Sequence, residues 1–198
     1  EGATHTRDRR RYALRLLLLA VISEVPFDLV AGGTWLFPAD QNTVFTLLLG
    51  LLAVWAGDLI CGIGPGGSYG NREKTGDGGR KAVDQRRFPL EYERYIRGLA
   101  AIPFALAAYC LKTDYGFMGV LLIVILYTLR TEPQLRTAVC AVFLFCMYMD
   151  FYGAAACVAI FLINRYNGEK GGGNGRIFYL FYPLHLLVIR GIKLAVGL

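Results

Sequence analysis

Thr43-Val-Phe-Thr-Leu-Leu-Leu-Gly-Leu-Leu-Ala-Val-Trp-Ala-Gly-Asp58-Leu-Ile-Cys-Gly-Ile63 carries one charged residue in 21 positions. It lies inside a longer stretch, Leu16 to Asn71, that has neither Lys nor Arg. A soluble domain breaks its apolar residues with helix or strand periodicity, whereas here they form blocks. A helix of about 20 apolar residues crosses a bilayer. Two further blocks lack Lys and Arg, Thr137 to Asn164 and Ile177 to Ile189, and mean hydropathy is +0.43. The fold class predicted is all-α, a polytopic integral-membrane helical bundle.

Seven apolar segments are expected, at roughly 12–30, 43–63, 98–111, 117–129, 135–149, 151–163 and 177–196. The first two and the last are long enough to span. The middle four are short and come as two pairs, hinged at Lys112-Thr-Asp-Tyr115 and at Asp150. Each pair is either two short spans or a hairpin that enters the membrane in part. Residues 1–198 read as one transmembrane domain with a flexible, Gly-rich and basic loop at 64–97. The end of that loop, Phe88 to Arg97, is expected to form a short amphipathic helix on the membrane surface.

Charge gives an orientation. Of the 21 Lys and Arg, four precede the first span, eight lie in 64–97, two in 130–136 and three in 164–176. The alternate loops hold only Lys112. The positive-inside bias places the basic loops in the cytoplasm. No convincing internal repeat occurs, and no signal peptide: Glu24, Pro26 and Asp28 interrupt what would follow the Arg7–Arg11 run. The chain opens without Met, and upstream helices are expected to be missing from it.

Polar residues inside apolar segments are expensive and mark candidate sites. His185 sits in the run Ile177 to Ile189, with Tyr182 three residues earlier on the same helical face. Pro183 between them removes a backbone donor and frees a carbonyl near the ring. Glu24 and Asp28 lie four apart near the end of the first segment, where Pro26 is expected to end or bend the helix. Two such carboxylates accept hydrogen bonds from an amine or hydroxyl; the plainer reading is interfacial solvation. Asn42 and Thr46 share a face at the start of the second segment, and Asn42 is also a helix N-cap candidate. Asp58 reads as an interfacial residue or a partner for Arg15. Arg9, Arg10, Arg11 and Arg15 attract anionic headgroups or hold a phosphorylated ligand.

Several classes are excluded. The five cysteines include no Cys-x-x-Cys and read as apolar fillers, so neither a disulfide framework nor a metal site is expected. The glycine runs match neither a Walker A nor a Rossmann fingerprint, which argues against ATP and NAD. A nucleic-acid partner is not expected.

Six motifs together resemble one family. They are Glu1-Gly with His5-Thr6 and Tyr12-x-x-Arg15-Leu16, then Ser23-Glu24-Val-Pro26-Phe27-Asp28, then Asn42-x-x-Phe45-Thr46-Leu47. Asp114-Tyr115-Gly116, Tyr166-Asn167-Gly168-Glu169-Lys170-Gly171 and Phe178-Tyr179-Leu-Phe-Tyr182-Pro183-Leu-His185 complete the set. The chain resembles the TraX family of integral-membrane proteins from conjugative systems. The resemblance implies acetylation of a pilin amino terminus and an organisation similar to membrane acyltransferases that use acyl-CoA. It also implies earlier helices with an Asp-His pair, which this chain lacks.

On that resemblance the expected activity is acyl transfer from acetyl-CoA, without a metal, to an amine or hydroxyl such as a protein N-terminus or a cell-envelope glycan. Arg9, Arg10, Arg11 and Arg15 receive the donor's phosphates. His185, or a base on the missing helices, deprotonates the acceptor, with His5 a second candidate. Glu24 and Asp28 orient that base or the acceptor, and Asn42, Thr46, Tyr179 and Tyr182 bind the substrate. The competing classes are a transporter or channel-like protein and a non-catalytic membrane component of a conjugation or secretion system.

Overall fold

A computed structural model describes residues 8–37, 39–64, 88–148, 158–160, 162–165 and 175–197. These residues are all-α, with no strand among them beyond one isolated bridge between Gln41 and Thr113. Six helices follow in order: α1 (Arg9–Ala31), α2 (Thr43–Ile60), α3 (Leu90–Cys110), α4 (Gly116–Thr128), α5 (Pro133–Tyr148) and α6 (Gly175–Val196). Residues 158–160 and 162–164 are also helical. The hinge at Asp150 and nearly all of the 64–97 loop ahead of Phe88 lie outside the described residues.

α2 is the axis of the molecule, touching α1, α3 and α4. Its Val44, Leu48, Leu51 and Val54 meet Ala101, Ala105 and Ala108 of α3 and Val120 and Val124 of α4. The alanines repeat at intervals of four and three, so they form one face of α3 and let the backbones approach. Gly50 and Gly57 do the same from α2. A Cβ on Gly50 would lie 2.4 Å from Ile123 Cδ1, and one on Gly57 would lie 2.9 Å from Arg97 Cγ. α5 and residue Ile160 form a smaller apolar cluster against α4 through Cys140 and Leu144.

Two helices, α2 and the Tyr179–Val196 part of α6, are long and apolar enough to cross a membrane. α4 and α5 are apolar but shorter. α6 packs on α1 and runs parallel to it: Lys193 Nζ donates to Val30 O at 3.1 Å near their ends.

Two expected boundaries move. The surface helix predicted at 88–97 is continuous with the segment predicted at 98–111, giving one helix of 21 residues, about 31 Å long. The reason is that Glu93 and Arg97 are buried and partnered, so nothing holds that turn at the surface. Pro26 does not end α1, which continues to Ala31. The proline costs one backbone hydrogen bond, and packing around this buried residue carries the helix through it.

Alternation of consecutive helices gives the bundle two ends. The start of α1, the end of α2, the start of α3 and the end of α4 meet at a basic end, through Arg9, Asp58, Arg97 and Tyr127. The opposite, acidic end gathers Glu24, Asn42, Thr43 and Asp114. There the loops before α2 and after α3 are stapled by Gln41 N to Lys112 O at 2.9 Å and Asp114 N to Gln41 O at 2.8 Å.

Candidate functional site

The acidic end is assembled around Asn42. This residue is fully buried, and its Oδ1 caps α2 by accepting from Val44 N at 3.0 Å. Its Nδ2 donates to Ala20 O at 2.8 Å and to Glu24 Oε2, and its backbone N–H donates to the same carboxylate oxygen at 3.3 Å. One side chain therefore starts a helix and holds a carboxylate from the neighbouring helix. Both amide hydrogens are used, so Asn42 positions Glu24 and has no donor left for a substrate.

Three buried polar atoms beside this pair find no hydrogen-bond partner among the described residues: Ser23 Oγ, Asp28 Oδ1 and Thr46 Oγ1. Leaving such an atom unpaired costs about 1–3 kcal/mol. Ser23 adjoins Glu24 in sequence, Asp28 is one turn further along α1, and Thr46 is one turn past Asn42. Such atoms are uncommon in a protein interior, and here they accompany a half-buried carboxylate.

α6 completes this end. Tyr182 reaches Thr43, with the carboxylates of Asp114 and Glu24 close enough to act on it electrostatically. Thr43 Oγ1 in turn donates to Asp114 Oδ2. The ring of Tyr182 lies 5.3 Å from that of His185, so the shared face expected for these two residues is present.

The structure does not bring His185 to Glu24 or Asp28. Its ring stacks on Phe181 at 5.3 Å, and Nδ1 lies 3.1 Å from Phe181 O. The imidazole folds back along its own helix, so only Tyr182 connects it with the acidic cluster. The carbonyl that Pro183 frees is that of Tyr179, four residues back, and not the one the ring meets. Tyr179 is half-buried near Tyr12, away from the Glu24 pair. His5 lies outside the described residues.

The basic end holds the network that sequence reasoning missed. Asp58 is 0% exposed. Its Oδ2 accepts from Arg9 at 3.1 Å and from the Tyr127 hydroxyl at 2.8 Å, and its Oδ1 lies 3.2 Å from Arg97. Arg97 also pairs with Glu93 at 3.9 Å, one turn earlier on α3. The guanidinium carbons of Arg97 and Arg130 stand 5.1 and 4.1 Å from the centre of the Tyr127 ring. Asp58 is thus neither interfacial nor a partner of Arg15. Gly57 beside it admits the Arg97 backbone, and α3 delivers the guanidinium from there. The signals available were the Glu93–Arg97 spacing and a glycine next to the one charge in the second segment.

The four arginines expected to act together are split. Arg9 turns inward to Asp58 and Gly64 O, while Arg10 and Arg15 are exposed and Arg11 pairs with Asp8 at 3.0 Å. Cys61 and Cys140 are buried free thiols, and Cys110 and Cys146 are exposed ones. Among the described residues no group of His, Cys, Asp and Glu gathers in a metal-binding arrangement.

No curated protein and no solved structure matches the chain. A family model described as TraX protein matches residues 1–59 and 86–193. That match takes in both ends of the bundle and leaves out little besides the basic loop. The chain, with its two helices able to cross a bilayer and its buried polar ends, belongs to the TraX family of membrane proteins.

Proposed function

We propose that the chain is the membrane-embedded part of an acyltransferase that moves an acetyl group from acetyl-CoA to an amine or hydroxyl. The observation that carries this reading is the Glu24–Asn42 pair, with Ser23, Asp28 and Thr46 on the same two helices holding buried polar atoms that find no partner among the described residues. A carboxylate held by neutral donors, beside unpaired hydroxyls, is suited to take a proton from an incoming nucleophile. Glu24 takes that proton as the acceptor nitrogen or oxygen attacks the acyl carbon. Thr46 donates to the developing oxyanion, and Tyr182 orients the acceptor from α6. A new carbon–nitrogen or carbon–oxygen bond replaces the carbon–sulfur bond, and the proton leaves with the thiol.

The residues at the basic end fit a phosphorylated donor. Arg10 and Arg15 are exposed and Arg11 is engaged only with an exposed aspartate on its own helix, so all three are open to phosphates. When bound, acyl-CoA supplies the thioester. From Arg15 to Glu24 along α1 is about 14 Å of helical rise, a gap that an extended pantetheine arm bridges. His185 is a supporting residue in this scheme, acting through Tyr182. The basic end faces the cytoplasm of the bacterial inner membrane, and the acceptor, a protein N-terminus or an envelope glycan, approaches the acidic end.

The test is transfer of labelled acetyl from acetyl-CoA by the full-length protein in nanodiscs, with membrane extract as the acceptor source. Label transfer that Glu24→Gln abolishes is the expected result. Transfer untouched by Glu24→Gln removes Glu24 from the chemistry, and no transfer together with no CoA binding by calorimetry overturns the reading in favour of a transporter or a scaffold.

A further inference from the structure

A cavity of about 460 Å³ lies between α4, α5 and residues 159, 160 and 163. Its wall is made of Met118, Leu122, Leu126, Leu144, Met147 and Ile160, with no charged residue in the lining. The size falls in the range of small-molecule sites, and the two methionines give it adaptable walls. α4 lines it from Met118 to Leu126, about 12 Å of rise. At one end the lining includes Gly119 and Tyr115. Gly119 is packed on Thr46: a Cβ there would lie 2.6 Å from Thr46 Cγ2. Thr46 is buried and its hydroxyl has no partner among the described residues. Asp114, next to Tyr115, is bonded to Thr43. The apolar cavity and the polar acidic end therefore share a wall.

Resting on the acyl-transfer reading, we infer that this cavity seats the alkyl tail of an amphiphilic acceptor. The acceptor's amine or hydroxyl head would lie at Glu24 and Thr46. An elongated apolar chamber that abuts a polar cluster at one end matches a molecule with a single unbranched chain and a polar head. Bulk lipid would wet the exposed apolar face of α6 equally well, so chain length and location are the discriminating readouts.

The experiment uses alkylamines from butylamine to hexadecylamine, each carrying a terminal diazirine, with the protein in nanodiscs. Burial of each added methylene should tighten binding about fourfold until the chain fills the cavity, and then the gain should stop. Crosslinks should map to peptides holding Leu122, Leu126, Leu144 or Met147. Ala159→Phe, on the exposed side of the cavity, should shift the break to shorter chains, and Met147→Phe on the facing helix should do the same. Affinity that rises without a break, or labelling of Leu180, Leu184 and Val188 that ignores both variants, overturns the tail site. Glu24→Gln should abolish transfer and keep the crosslink. Crosslinking at the cavity with no transfer by wild type counts against the enzyme reading and leaves the tail site standing. Transfer that is indifferent to chain length does the reverse.

Discussion

At the basic end of α2, Asp58 is held by two guanidiniums and a tyrosine hydroxyl. At the acidic end, Glu24 is held by the two N–H groups of one neutral residue, Asn42. Both carboxylates are removed from bulk solvent to some degree, and each ties α2 to a neighbour, yet the two devices differ in kind. Charge compensation fixes Asp58 and makes it a lock between α1, α2, α3 and α4. Neutral donors leave the charge of Glu24 uncompensated, which suits a group that acts on a substrate. Both ends keep buried polar atoms without a hydrogen-bond partner among the described residues: Arg9 Nε, Trp55 Nε1 and Arg97 Nε at the basic end, Ser23 Oγ, Asp28 Oδ1 and Thr46 Oγ1 at the acidic end.

This contrast can be broken or sharpened by substitution. The largest effect belongs to Asp58→Ala, which strands Arg9 and Arg97 in the interior and should cost about 3–5 kcal/mol of stability, read by denaturant unfolding in detergent. Asp58→Leu with Arg97→Met should recover only part of that loss, because Arg9 still loses the Asp58 carboxylate. If the single variant unfolds like wild type, the lock does not exist. Glu24→Gln should leave unfolding near wild type and lower acetyl transfer about a hundredfold or more, measured by label incorporation. A large loss of stability in this variant would make Glu24 a structural residue like Asp58.

Asn42→Ala should be intermediate, removing the cap of α2 and one donor to Glu24. It should cost about 1–2 kcal/mol of stability and reduce transfer by slowing turnover, since Glu24 would lose its orientation. Weakened donor binding with unchanged turnover would contradict that positioning role. His185→Gln should be the mildest, lowering transfer less than tenfold (about 1.4 kcal/mol), because the imidazole reaches the cluster only through Tyr182. A hundredfold loss there would restore His185 as the base.

Much of this molecule was legible before any coordinates. Apolar blocks without Lys or Arg located the helices, since burial of a long apolar stretch is a property of composition. The capping role of Asn42 and the common face of Tyr182 and His185 follow from helical geometry alone, and the structure has both. Family membership followed from short motifs at both ends of the chain.

What the chain by itself determined was therefore local: where helices begin, which residues share a turn, and which charges sit in apolar surroundings. Only the tertiary structure decided the partners. Asp58 meets Arg97, 39 positions later, because Gly57 lets α3 approach, and that approach carries α3 past its expected start at residue 98. His185 turns away from Glu24 because α6 lies along α1 with its ring stacked on Phe181. Hydropathy and spacing describe one helix at a time. Which side chains meet across helices depends on how closely the backbones pack and on rotation about each axis, and neither quantity is written in a single segment.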